Sequence, residues 1–187
     1  MGMANIEHAK TTNELIMSLS RLFRYNLENK AELVTLSQEL TVIKSYIFIE
    51  KKRFGNRLGY MLKADADLDL YEIPPFTLQP LIENSIRHGI LKREEGGMIA
   101  ISIFVRHHDL VIRIVDNGVG MDPERKEAIM GGKWEYESSG LISGIGIQNV
   151  FGRLKLVYPD CKIRIISRKD RGTCIEVRIP EEECTYG

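Results

Sequence analysis

Net charge is missing from this sequence: 26 basic and 26 acidic side chains cancel over 187 residues. That removes the bulk electrostatic case for a nucleic-acid or anionic-membrane partner, and no nucleic acid is expected. Cysteine is scarce and odd in number. Cys161, Cys174 and Cys184 form no close pair and have no histidine-rich surroundings, so reduced thiols are expected rather than a disulfide frame or a zinc site. Long apolar runs are absent too. The longest, Met98 to Val105, is far too short to cross a bilayer, and no signal peptide precedes the first charges. The expectation is a soluble, cytoplasmic chain with one good core, or a core plus a short accessory element. No internal repeat or low-complexity tract is present.

What is there begins with helical periodicity. Leu15, Leu19, Leu22 and Phe23 read as one stripe; Thr35 to Gln38 reads as a capping box, followed by Leu36, Leu40, Ile43, Ile47 and Phe54. Asn26 to Ala31 is a polar joint, so the pair reads as a helical hairpin or as helices that pack with a partner chain. Two helices bury little alone, so they pack on a second copy or on the domain C-terminal to them. Gly55 and Gly59 break the second helix, and Leu58 to Leu68 reads as a strand. Asp65, Asp67 and Asp69 have chelator-like spacing but lack the glycine turn and distal glutamate of a calcium loop, so they read as a solvated edge. Pro74-Pro75 opens a helix over 76–90, with Leu78, Leu81, Ile82, Ser85 and Gly89 buried. Pro80, Glu83, Asn84, Arg87 and His88 fall on its polar side.

After Gly96-Gly97, residues 99–105 read as a strand largely buried on both faces. His107-His108-Asp109 is a tight connection into Leu110 to Asp116. Leu110, Ile112, Ile114 and Asp116 share one face, which aims the carboxylate into the cleft between sheet and helices. A helix over 145–157 and strands over 162–168 and 173–179 complete an α+β chain: about three helices layered on a mixed, mostly antiparallel sheet.

The segment from Asp116 to Val150 organises the rest. Asp-Asn-Gly-Val-Gly ends a strand, and Gly144 and Gly146 open a helix. Glycines cluster where backbone approaches a ligand, and a helix N-terminus offers free N–H groups to an anion. A half-buried carboxylate is a specific acceptor for an exocyclic amine such as that of adenine. Purine at one end and phosphates at the other suggest a nucleotide.

Four pieces stand in order: LIENSIRHG at 81–89, DNGVG at 116–120, GIGIQNV at 144–150 and RGT at 171–173. Together they resemble the N, G1, G2 and G3 boxes of the GHKL ATPase domain, with its Bergerat-type two-layer α/β sandwich. The segments LSRLFRYNL (19–27), 32–58 and IPPFTLQPLIENSIRHGI (73–90) resemble the LytS-type sensor histidine kinases. That likeness implies a helical dimerisation element over 1–56 and an ATP-binding catalytic domain over 57–187.

The resemblance implies ATP and magnesium as ligands. Asn84 would help hold the magnesium, and Asp116 would accept the adenine amine. Gly118 and Gly120 would let the backbone approach the base. Residues 121–143 would form a lid. Gly144 and Gly146 would present a helix end to the phosphates, and Thr173 would offer a hydroxyl near the base. Arg87 and His88 are phosphate neighbours from geometry alone.

Hydrolysing members of this superfamily resemble one another in carrying a glutamate one turn before the asparagine. Here Pro80 holds that place, and Glu83 lies about 100° around the helix from Asn84. Binding without water activation suits a kinase whose nucleophile arrives from elsewhere. His8, His88, His107 and His108 all lie outside the Asn-Pro-His-Phe acceptor motif of LytS-type kinases. The expectation is the phosphoryl-donating part of a larger, membrane-anchored two-component sensor kinase. It would be homodimeric when complete, would serve a response regulator, and would lie in the cytoplasm. An ATP-gated interaction module and a GHKL-type ATPase are the alternatives.

Overall fold

The computed structural model describes residues 2–28, 31–65, 67–131 and 145–185. Helices α1 (Gly2–Glu28) and α2 (Leu36–Phe54) form the expected hairpin. They run antiparallel, with Tyr25 bonded to Glu39 and Arg21 to Ser45. The capping box is present: Thr35 Oγ1 accepts the Gln38 N–H at 3.3 Å, and Gln38 Oε1 accepts the Thr35 N–H at 3.1 Å. Those two bonds satisfy amides that the first helical turn leaves unpaired.

The α1 stripe is corrected. Leu15, Ser18, Leu22 and Tyr25, at three- and four-residue spacing, are the side chains turned away from solvent; Leu19 and Phe23 are exposed. A helix rotates 100° per residue, so Leu19 and Phe23 belong to a second, outward stripe. The α2 side chains Leu36, Leu40, Ile43, Tyr46 and Ile47 enter the same apolar cluster as the sheet. A short antiparallel ladder of β1 (Val34–Thr35) and β3 (Glu72–Ile73) ties the hairpin's joint to the chain just before the next helix.

The main sheet has the order β2-β4-β5-β7-β6, from β2 (Leu58–Ala64), β4 (Gly97–Arg106), β5 (Asp109–Asp116), β6 (Lys162–Arg168) and β7 (Gly172–Pro180). Strand β2 is parallel to β4; every other pairing is antiparallel. The two-residue turn His107-His108, with φ of 52° and 60°, joins β4 to β5 in the positive-φ geometry that tight hairpins use. Strand β2 stops at Ala64, four residues short of the expected end, and Gly59 lies within it rather than breaking the helix before it.

Among the described residues, helices cover one face of the sheet only. Ile99, Ile101 and Ile103 are buried, whereas Met98 is 47% exposed and Ala100, Ser102 and Phe104 are half-buried. The expectation of a strand β4 largely buried on both faces therefore holds for one face, and the other is only half-buried. Its apolar outward residues face an open sheet surface. The covered face carries Leu110, Ile112, Ile114, Ile175, Val177 and Ile179 in the core, each contributing roughly 1.5–3 kcal/mol of burial.

The covering layer comprises α3 (Leu78–Asn84), α4 (Pro123–Gly131) and α5 (Ile145–Val157), with α6 (Glu181–Cys184) closing the chain's last turn. Helix α3 starts two residues later than expected, because Phe76 takes φ +59° and Thr77 becomes the residue before the first turn. It also widens into a π turn at Ser85–Gly89 and then a 3-10 turn at Ile90–Lys92. The buried set Leu78, Leu81, Ile82, Ser85 and Gly89 is as expected, and Ile86 and Ile90 join it. All three cysteines are free.

Candidate functional site

Asp116 ends β5 with its side chain on the covered face, as strand parity requires, and is only 4% exposed. Its Oδ1 accepts the Gly118 N–H at 3.0 Å. Burial raises its pKa above the ordinary aspartate value; the Gly118 N–H, the Ser85 hydroxyl and the Thr173 N–H pull it back only in part. The result is a desolvated acceptor held by fixed donors, aimed between sheet and helix.

That placement depends on glycines. A Cβ on Gly89 would lie 2.9 Å from Asp116 Oδ1, and one on Gly118 would lie 2.2 Å from the Gly89 carbonyl carbon. The Val119 N–H then bonds the Gly89 carbonyl at 3.1 Å, which clamps the DNGVG loop onto the π turn. Gly120 has φ +64°, and its missing Cβ is where the Arg168 carbonyl sits. The bare backbones of Gly118 and Gly120 thus receive neighbouring protein backbone. Asn117 faces away: its Oδ1 accepts the Met98 N–H at 2.6 Å, pinning the loop to the start of β4.

Asn84, His88, Gly89, Asp116, Gly120, Met121, Arg125 and Thr173 line one small hollow. Five of the nine expected site residues are therefore brought together: Asn84, His88, Asp116, Gly120 and Thr173. Gly118 lies directly behind them. Gly144 lies outside the described residues, as does most of the expected lid. Gly146 does not line the hollow; it starts α5 against Pro80, 3.6 Å from the Pro80 Cβ if it carried a Cβ itself.

Arg87 is misplaced by the expectation. One residue before His88, it faces α2, beside the Tyr46 hydroxyl and the carboxylates of Glu50 and of Glu83 on its own helix. Glu83 accepts the Gln79 side-chain amide at 2.9 Å and does not line the hollow. No carboxylate on α3 therefore faces that space.

Thr173 pairs with Asp116 across the β5–β7 ladder. Ser167 donates to the Gly172 carbonyl at 3.0 Å and accepts the Met121 N–H at 2.9 Å, so its remaining lone pair accepts the Thr173 hydroxyl, also at 2.9 Å. Sequence reasoning misses Ser167 and Ser85 as site residues. Strand parity was the available signal for Ser167, which shares the inward face of β6 with Ile163 and Ile165.

At the purine end the residues present suit a nucleotide: a buried, partnered carboxylate with a hydroxyl beside it. Asn84 offers an amide oxygen of the kind magnesium takes. The hollow itself is nearly closed, about 10 Å³, the room of one water. Met121 and Arg125 line it from the entry to α4, and Met121 and Ile129 both belong to the apolar core.

The family model of the histidine kinase-, DNA gyrase B-, and HSP90-like ATPases matches residues 76–183, and that of the histidine kinases matches residues 1–58. The chain belongs to this ATPase family. It is 32% identical to the sensor protein LytS of Oceanobacillus iheyensis over 94% of its own length, and 36% identical to the sensor histidine kinase YpdA of Escherichia coli over 92%. It spans 30% and 29% of those two relatives. The histidine kinase domain of the blue-light activated kinase from Erythrobacter litoralis EL346 has the same fold, with a TM-score of 0.57 at 15% identity over 96% of this chain and 84% of that one. Among the described residues no helix is long and apolar enough to cross a membrane.

Proposed function

We propose that this family member binds Mg-ATP in the hollow and donates the γ-phosphoryl group to a histidine, as the catalytic part of a two-component sensor kinase. The observation that carries the reading is the buried Asp116 carboxylate sharing one hollow with Asn84, His88 and Thr173. Asp116 accepts the adenine amine. Asn84 supplies an oxygen for magnesium, which neutralises phosphate charge when bound. Thr173 and Gly120 flank the base. In phosphoryl transfer the protein's work is positioning and charge neutralisation, so no covalent residue on this chain is required.

Hydrolysis is disfavoured by the same geometry. Pro80 packs at the start of α5, and Glu83 is turned toward Gln79 and Arg87, so water at the phosphate end finds no base on α3. The acceptor histidine lies in an Asn-Pro-His-Phe element that His8, His88, His107 and His108 do not form. Response-regulator partnership, homodimerisation and a membrane-anchored parent protein belong to the same proposal. The LytS and YpdA relatives, named as sensors, support it.

Calorimetry with Mg-ATP on wild type and Asp116→Ala tests the site, with adenine recognition lost in the variant while the fold survives. Labelled ATP then tests the chemistry: label should pass to a separate domain carrying the acceptor motif and stay off this chain. Stable label on His8, or steady phosphate release, would overturn the assignment.

A further inference from the structure

Phe76 has φ +59°, a conformation that a bulky side chain adopts only when its surroundings hold it there. Three helices do so. From α2, Glu39 accepts the Phe76 N–H on Oε1 and the Leu78 N–H on Oε2, both at 2.8 Å. From α5, Arg153 Nη2 donates to the Phe76 carbonyl at 2.7 Å. From α1, the Tyr25 ring meets the Phe76 ring edge-on at 5.0 Å, and its hydroxyl donates to Glu39 Oε1.

Glu39 is 1% exposed, and a buried carboxylate survives in that position only if donors surround it. Helix α3 makes no side-chain cap of its own. The Thr77 hydroxyl turns back to the Pro74 carbonyl at 2.6 Å, so the first amide of α3 is left for Glu39.

The strained turn sits upstream of the residues that meet the ligand. Leu78 opens α3 and Asn84 ends it, about 9 Å further along a rigid rod. Beyond it Gly89 abuts Asp116 with no room for a methyl group. A shift of the Phe76 peptide therefore moves Asn84 and Gly89 relative to Asp116, and through Arg153 it moves α5 as well.

We propose that Glu39 is a positioning residue for the nucleotide site: it holds the Phe76 turn so that α3 and α5 frame the hollow at the correct spacing. The inference rests on the nucleotide reading of that hollow. A merely structural carboxylate and a turn-holding one differ in what glycine at position 76 does, since glycine adopts positive φ without steric cost.

The experiment compares wild type, Glu39→Ala, Phe76→Gly and the double variant, by Mg-ATP calorimetry and by amide exchange over 85–89 without nucleotide. Glu39→Ala should bind roughly tenfold more weakly, in keeping with the loss of a helix cap, and should exchange faster over 85–89. The double variant should recover to within about threefold of Phe76→Gly alone. A folded Glu39→Ala with wild-type affinity and exchange overturns the proposal, as does a double variant no better than Glu39→Ala. If Glu39→Ala does not fold, Glu39→Gln replaces it and is judged by the same outcomes. Should wild type bind no nucleotide, the reading of the hollow falls, while the exchange data still decide whether Glu39 sets that end of α3.

Discussion

Gly89 and Asp116 meet so closely that a Cβ on the glycine would stand 2.9 Å from the carboxylate oxygen and 3.3 Å from its carbon. The π turn at Ser85–Gly89 brings them together by widening α3 just where β5 ends. Such widened turns concentrate at functional sites. Gly89→Ala must push the carboxylate off its donors or lift the turn. The expected outcome is at least a tenfold loss of Mg-ATP affinity by calorimetry, with a stability cost of about 1–3 kcal/mol in urea unfolding, typical of overpacking.

Asp116 itself carries a cost in the unliganded fold. Burial raises its pKa against the pull of Gly118, Ser85 and Thr173. For a carboxyl raised on folding, the stabilising contribution is full below the unfolded value, near 3.9, and is lost as pH rises through the folded value. Near neutral pH wild type bears that loss. Asp116→Asn should therefore melt above wild type at pH 7, with the gap closing below about pH 4, while Mg-ATP affinity falls. A variant less stable than wild type at pH 7 would sink this account of the carboxylate.

Glu176 shows the opposite sign on the open face of the sheet. Burial pushes its pKa up, but hydrogen bonds from Arg113 and Arg178 outweigh that and leave it below the ordinary glutamate value. Arg178 Nε bonds Oε1 at 2.8 Å and Arg113 Nε bonds Oε2 at 2.9 Å; Arg113 also lies over the Phe104 ring. Stability from a lowered carboxyl is present above its unfolded value, near 4.3, and lost as pH falls through the folded one. Both arginines are about a third exposed, so screening limits the gain. Glu176→Gln should cost about 1 kcal/mol at pH 7, and denaturant titrations at pH 7 and pH 3 should show that difference disappearing.

Much of the fold and the site was legible because strand parity and helix period are strict. Asp116 followed Leu110, Ile112 and Ile114 onto the covered face, and the order of the four boxes placed Asn84 and Thr173 around it. What failed did so where tertiary packing decides. The period of α1 cannot say which of two neighbouring stripes faces α2, so it groups Leu19 and Phe23 with Leu15 and Leu22. Arg87 and His88 are adjacent in sequence, and only the packing of α2 shows that one faces Glu50 and the other the hollow. The π turn has no periodic signature, and a buried Glu39 in an amphipathic helix reads as one more polar position until its amide partners, 37 and 39 residues away, are seen.

The outward stripe of α1 bears on the proposed homodimer. Ile16, Leu19, Phe23 and Leu27 are 56%, 47%, 57% and 76% exposed, at three- and four-residue spacing along one side of the helix, the pattern of a two-stranded seam. Leu15, Ser18, Leu22 and Tyr25 occupy the other side, so the seam can be altered without disturbing the hairpin. Charges at Leu19 and Phe23 together remove two large apolar side chains per protomer from any such seam, each worth about 1.5–3 kcal/mol. Sedimentation at tens of micromolar should find a dimer for wild type and a monomer for Leu19→Glu/Phe23→Glu, with thermal unfolding of the lobe unchanged. A wild-type chain that sediments as a monomer at those concentrations would leave the stripe without a second copy to cover it, and dimerisation would have to be supplied by other parts of the proposed parent kinase.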